Sequence, residues 1–163
     1  MKTVLAPIDF SHTCERVISS AITLARAMNA RLVLLTVVPR IDVEGCTLSL
    51  TLAAADLAVE AEKDIARRLT RLQRSLRDDG VTAHVAHVSG DPRSCILEQA
   101  KQLSANYVVM AAHKDRAFDR AIIGGTASGV LRRATCSVVI IPNEEKPERR
   151  AARKLDRLEL AGV

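Results

Sequence analysis

A chain of 163 residues is long enough for one domain with a sizeable core and too short to expect two. Hydrophobic residues make up 48% and charged residues 26%, as in a soluble globular protein, but aromatics are only 2%, so the core must be aliphatic and nucleobase stacking on exposed rings is disfavoured. The net charge of +5 is mild and unclustered, which argues against a nucleic-acid partner, and no apolar run nears the ~20 residues that cross a bilayer.

Lys2–Asp9 is a short apolar run closed by Pro7 and Asp9, and reads as a buried strand. Ser11 or Thr13 can cap the helix after it, in which Val17, Ile18, Ala21, Ile22, Ala25 and Met28 fall at helical spacing before Asn29 closes it. Arg31–Val38 is continuous and β-branched, suited to a strand covered on both faces, and Pro39 stops it. A long helix is expected from about Leu50 to Arg77, with Ile65, Leu69, Leu72 and Leu76 on one stripe and most of its arginines on a solvated face. Asp78–Gly80 breaks it. A third strand follows over Val81–Val88, then Ser89–Pro92 turns into a helix with Pro92 near its first position. Asn106–Ala112 is a fourth strand, Thr126–Arg133 a fourth helix and Ser137–Pro142 a fifth strand.

Five strands that alternate with four helices form βαβ crossovers and a parallel sheet, an α/β fold. Ligands of such sheets bind beyond the carboxyl ends of the strands, at the point where strand order reverses. The loops that matter are therefore Pro7–Ser11, Val37–Arg40 and, within the stretch Met110–Val130, Ala112–Gly125. The last enters a helix through two glycines, where N–H groups without intrahelical partners can meet a phosphate.

Several chemistries are excluded. No Gly-Lys-Ser/Thr occurs, and no G-x-G-x-x-G follows the first strand. A magnesium-binding acidic cluster is missing, since the first strand end supplies Asp9 alone. His84 and His87 face opposite sides of a strand, and His12 and His113 lack partners at metal-ligand spacing. No nucleophile–base pair is readable, so Ser11 and Ser128 read as capping hydroxyls. Cys14, Cys46, Cys95 and Cys136 are widely spaced with no C-x-x-C, which fits a reducing cytoplasm.

The segments VLAPIDFS, LLTVVP, SGDP and GGTASGVLRRATCSVVIIP, taken in this order, resemble the universal stress protein family over nearly all of Lys2–Pro142. The resemblance implies a doubly wound five-stranded α/β fold with helices on both faces, strand order 3-2-1-4-5, and frequent dimerisation, with 1–142 as the family domain and 143–163 as a charged tail holding six basic and five acidic residues. Many members bind ATP through Gly-x-x-Gly, nine residues, then Gly-Ser/Thr. The matching positions here are Ala111, Lys114, Gly124 and Gly125, with Thr126 one later, so one glycine of three is kept. By the same resemblance Asp9 would face the adenosine and Val37 would line the adenine pocket.

Each departure has a physical consequence. A Cβ at Ala111 or Lys114 disfavours close approach of backbone to phosphate. The Lys114 chain either obstructs the cradle or replaces its N–H contacts with a point charge. The expectation is a cytoplasmic binding or signalling module for an adenine nucleotide (ATP, with magnesium if bound) or another phosphate ligand, and at most a weak ATPase. The alternative is a dimeric interaction protein that binds no nucleotide and acts through an unknown protein partner. A homodimer is expected through the Ser137–Ile141 strand, which is apolar, uncharged and, in the implied order, at a sheet edge.

Overall fold

Among the described residues, strands and helices alternate: β1 (Thr3–Pro7), α1 (Cys14–Ala27), β2 (Arg31–Val38), α2 (Leu48–Asp78), β3 (Ala83–Ser89), α3 (Pro92–Gln102), β4 (Tyr107–Ala111), α4 (Gly125–Arg133) and β5 (Ser137–Ile141). The computed structural model describes residues 1–38, 48–112 and 124–142, apart from the side chains of 48–56 and 58. The strands form one parallel sheet in the order β3-β2-β1-β4-β5. This is the doubly wound α/β arrangement expected from the sequence.

The alternation of side chains across the sheet divides the interior into two cores. Val4 and Ala6 of β1, Leu32 and Leu34 of β2 and Val109 of β4 pack with Val17, Ala21 and Ala25 of α1 and with Leu69 and Leu76 of α2. Leu5, Val33, Leu35, Val108 and Met110 pack on the other face with Ile96 and Ala100 of α3 and Ala127 and Val130 of α4. Right-handed crossovers require this: the chain moves outward from β1 to β3 over one face and returns to β4 and β5 over the other.

Three helices end alike. Asn29, Gly80 and Ser104 adopt φ of 49°, 71° and 46°. The next N–H in each case reaches back into the last turn, from Ala30 to Ala25 O, Val81 to Leu76 O and Ala105 to Ala100 O, at 2.8, 2.7 and 2.8 Å. These left-handed caps satisfy carbonyls that the helix leaves unpaired. The cap on α2 also explains why β3 starts at Ala83 rather than at Val81, whose N–H it has taken.

The helix starts differ from one another. Thr13 holds the cap position of α1, yet its φ of −87° and ψ of −10° are already helical, and its side chain makes no capping hydrogen bond. The hydroxyl of Ser11 is buried without a partner, so neither expected cap forms there. In α3, Asp91 is extended and its Oδ2 accepts from Ser94 N and Ser94 Oγ at 2.9 and 2.8 Å, with Pro92 at the first position. These two hydrogen bonds, the backbone one first, hold the Asp91 carboxyl below its ordinary 3.8. Its contribution is present above that pH and is lost as pH falls through the depressed value. Asp91→Ala is expected to lower the melting temperature at neutral pH and to speed exchange of the Ser94 amide. A melt that coincides with the native one would contradict the cap.

Candidate functional site

The carboxyl ends of β2, β1 and β4 lie side by side, because Leu5 pairs with Val33 on one side and Val108 on the other. At this end β1 sends the chain to α1 on one face while β4 leads toward α4 on the opposite face. The crevice between β1 and β4 is the reversal point of the sheet. Backbone bonds continue past the strand ends and fix its floor: Ile8 N–H donates to Leu35 O, Gly90 N–H to Val38 O and Ala112 N–H to Ile141 O, at 2.8, 2.9 and 2.8 Å.

On the β1 side Pro7 is half-buried and Asp9 exposed. Asp9 Oδ1 accepts from Ser11 N at 3.0 Å, a turn in which the carboxylate imitates a backbone carbonyl. Between them Phe10 adopts φ of 57°. A left-handed aromatic residue is strained, and such strain concentrates where a chain must turn sharply at a functional edge. The Phe10 ring packs against the α1/α2 core and lies 5.8 Å from the Arg68 guanidinium carbon. Nothing in the residue order signals this conformation, because neither glycine nor asparagine stands there.

On the β2 side Val37 is half-buried and packs toward the α3/α4 core, opposite Val88 of β3. On the β4 side Met110 is 5% exposed and its side chain belongs to the α3/α4 core, so only its backbone can face a ligand. Ala111 is half-buried at the end of β4 and its φ is not positive, so this position holds no left-handed backbone that would call for glycine. Lys114, with His113, Arg116 and Arg120, lies outside the described residues.

Gly124 caps α4 with φ of −54° and ψ of 159° and is buried. Gly125 is exposed at the first helical position, and among the described residues a Cβ built there would meet nothing within 4 Å. Thr126 is half-buried. Pro7, Asp9, Val37, Met110, Ala111 and the Gly124–Thr126 helix start all lie toward the carboxyl end of the sheet.

Cys14 sits under the β1–α1 turn as the first residue of α1. A helix start ordinarily lowers a thiol's pKa. Here burial prevails and raises it above 9.0, opposed by a hydrogen bond with the Phe10 backbone and reinforced by the charges of Asp9 and Glu15. Because the folded value is the raised one, the stability contributed is complete below about pH 9 and is lost as pH climbs through it. Cys14 should resist iodoacetamide at pH 8 in the native chain and react once denatured, as peptide mass spectrometry would read. Rapid native labelling would contradict its burial.

Among the described residues no group of three or more His, Cys, Asp or Glu could hold a metal ion. His84 and His87 are exposed on opposite faces of β3, as their spacing predicts. A groove of about 290 Å³ lined by Gln73, Arg77, Gly80, Val81, Thr82, Ala83 and His84 lies at the amino end of β3, away from the crevice. No described helix is long and apolar enough to cross a membrane.

Known proteins share this architecture. A putative universal stress protein of Staphylococcus haemolyticus is 26% identical over 149 residues, covering 90% of this chain and 88% of its own. The solved universal stress protein UspA of Lactobacillus plantarum matches with a TM-score of 0.71 at 26% identity, over 86% of this chain and 97% of that one. A universal stress protein family protein of Arabidopsis thaliana, solved with AMP bound, matches in fold with a TM-score of 0.61 at 16% identity, over 88% of this chain and 93% of that one. The model of the universal stress protein family matches residues 1–142, and the chain belongs to that family.

Proposed function

We propose that this chain is a cytoplasmic module that binds an adenine nucleotide in the β1/β4 crevice and signals by its occupancy, without a dedicated catalytic reaction. The observation that carries the reading is the placement of Asp9, Val37 and the Gly124–Thr126 helix start around one reversal point of the sheet. Asp9 would accept from the ribose hydroxyls and Val37 would cover the base. The first-turn N–H groups of α4 would meet phosphate, with magnesium if the ligand is ATP. That a plant neighbour of the same fold is solved with AMP bound supports an adenine nucleotide as the ligand. The free cysteines Cys14, Cys95 and Cys136 suit a reducing compartment.

The test is whether protein purified from cells releases a nucleotide on denaturation, followed by titration of the emptied protein with AMP and ATP, with and without magnesium. Release or saturable binding supports the reading. Absence of both would favour a dimeric interaction protein that acts through an unidentified partner.

The structure also makes the altered helix start testable. Since a side chain at Gly125 meets open space and its φ is not positive, Gly125→Ser should fold normally. The substitution should add stability of up to about 1 kcal/mol by restricting the unfolded chain. It also places a hydroxyl where the family pattern has one, and a neutral hydrogen bond of about 0.5–1.5 kcal/mol would tighten nucleotide two- to tenfold. Unchanged affinity by calorimetry would remove the α4 start from the phosphate site.

A further inference from the structure

We infer that residues 143–163 of this chain dock on the first half of α2, an apolar and acidic stretch of helix that extends past the sheet. Ser89 is the last residue of β3, and its Oγ donates to Glu62 Oε1 at 3.3 Å. Because α2 begins at Leu48, residues 48–61 lie beyond that strand end, about 21 Å of helix at roughly 1.5 Å per residue. Along the sheet α2 buries Leu69 and Leu76, but beyond it Leu57 is 67% and Val59 50% exposed. Leu50, Ala54, Leu57 and Ala61 fall at i, i+4, i+7 and i+11, which is one face of the helix, and Arg68 continues the row. The Arg68 guanidinium carbon is 5.8 Å from the Phe10 ring, so the row lies on the side of α2 nearest the β1–α1 turn. A surface helix keeps its outer positions polar, and an apolar row left in water marks a contact site.

The place where the segment starts and the charge it carries identify it as the cover. Arg16 Nη1, in the first turn of α1, donates to Pro142 O at 2.7 Å. The chain therefore leaves β5 on the face where α1 and α2 pack. From β5 to β3 the sheet spans four strand spacings, about 19 Å, which roughly six extended residues cover. Residues from Arg149 onward then reach α2. Within 149–157 stand Arg149, Arg150, Arg153, Lys154 and Arg157 against Asp156 alone, a net charge of +4. Residues 48–62 of α2 hold Asp56, Glu60 and Glu62 and no basic residue, a net charge of −3. Leu155 and Leu158 are three apart, a helical spacing that brings both to one face, with long Arg and Lys stems beside them to cover apolar surface. Opposite charge sets the orientation, and the apolar row supplies the affinity. Docked there, the segment is drawn away from the β5 edge.

The experiment uses the full chain. Carbodiimide joins a lysine amine to a carboxylate only where the two touch, and it is applied to an equal mixture of unlabelled and nitrogen-15-labelled protein. Peptide mass spectrometry is expected to find Lys154 joined to Glu60 or Glu62, with both peptides of one isotope. Leu155→Asp combined with Leu158→Asp lies outside the family domain and should abolish that product. The same variant should speed amide exchange over residues 57–62 about tenfold, as loss of a local contact of modest strength does, and leave residues 65–76 unchanged. Glu60→Lys with Glu62→Lys should speed exchange likewise, and adding Arg150→Glu with Arg153→Glu should restore the protection. Equal exchange over 57–62 in the native chain and the Leu155/Leu158 variant overturns the inference. Cross-linked peptides of mixed isotope place the segment on a second copy and overturn it too. Exchange that slows with protein concentration in both chains assigns the apolar row to contact between copies, which also overturns it.

Discussion

Leu5→Ala is expected to lower the stability of this chain by about 2–5 kcal/mol, out of the 5–15 kcal/mol typical of a whole domain. At roughly 2–4 °C per kcal/mol for a chain of this size, the melting temperature should fall by about 4–20 °C. Leu5 is fully buried in the centre strand, and the residues level with it are Val33 on β2 and Val108 on β4, which pack in the same α3/α4 core. Both are β-branched and shorter than leucine, held in register by strands paired on either side. They cannot slide in to fill the space, so the cavity term should be near its upper range. Leu131 on α4, 46% exposed, is the control, and Leu131→Ala should change stability by no more than about 0.5 kcal/mol. A Leu5→Ala melt as close to the native one as the Leu131→Ala melt would contradict the two-core architecture.

Most of this architecture was readable where a local cause sets an element. Arg31–Val38 is a strand to the residue, because a continuous apolar run ends at a proline that cannot extend the ladder. Asn29 and Gly80 mark helix ends because those residues accept a left-handed backbone at low cost. Ser104 and Phe10 take the same conformation without any such signal, Ser104 at the α3 cap where Ala105 N–H returns to Ala100 O, and Phe10 where its ring packs on the α1/α2 core. The first strand stops at Pro7 rather than Asp9 for that reason: the chain must already be turning toward α1.

For the candidate site, the sequence pattern speaks to position more than to chemistry. Strand ends dictate where Asp9, Val37 and the α4 start lie, and the pattern of strands and helices locates those ends. The burial of the Met110 side chain and the open space at Gly125 depend on how distant segments meet. No local pattern encodes them.

Among the described residues β3 and β5 are the two edges of the sheet, and they differ in a way that predicts assembly. β3 shows the exposed side chains of His84, His87 and Ser89, a polar edge that resists further pairing. β5 spans Ser137–Ile141 without a charge, and Val138, Val139 and Ile140 remain only half-buried although their partners Val108 and Val109 on β4 are fully buried. Among the described residues, nothing pairs with β5 on its outer side. Antiparallel pairing of β5 with a second copy would supply one and would create a self-complementary two-fold interface. The competing cover is the chain's own charged tail, residues 143–163, whose Leu155, Leu158 and Leu160 could form a small apolar patch; that tail lies outside the described residues. Light scattering on the chain ended at Pro142 separates the two. Edge pairing predicts a dimer with or without the tail, and Ile140→Lys, which places a charge on each copy at the two-fold seam, should leave a folded monomer by circular dichroism. Tail cover predicts a monomer that dimerises only on truncation. A truncated chain that stays monomeric at high concentration rules out pairing through β5, because nothing would then remain to keep two such apolar edges apart.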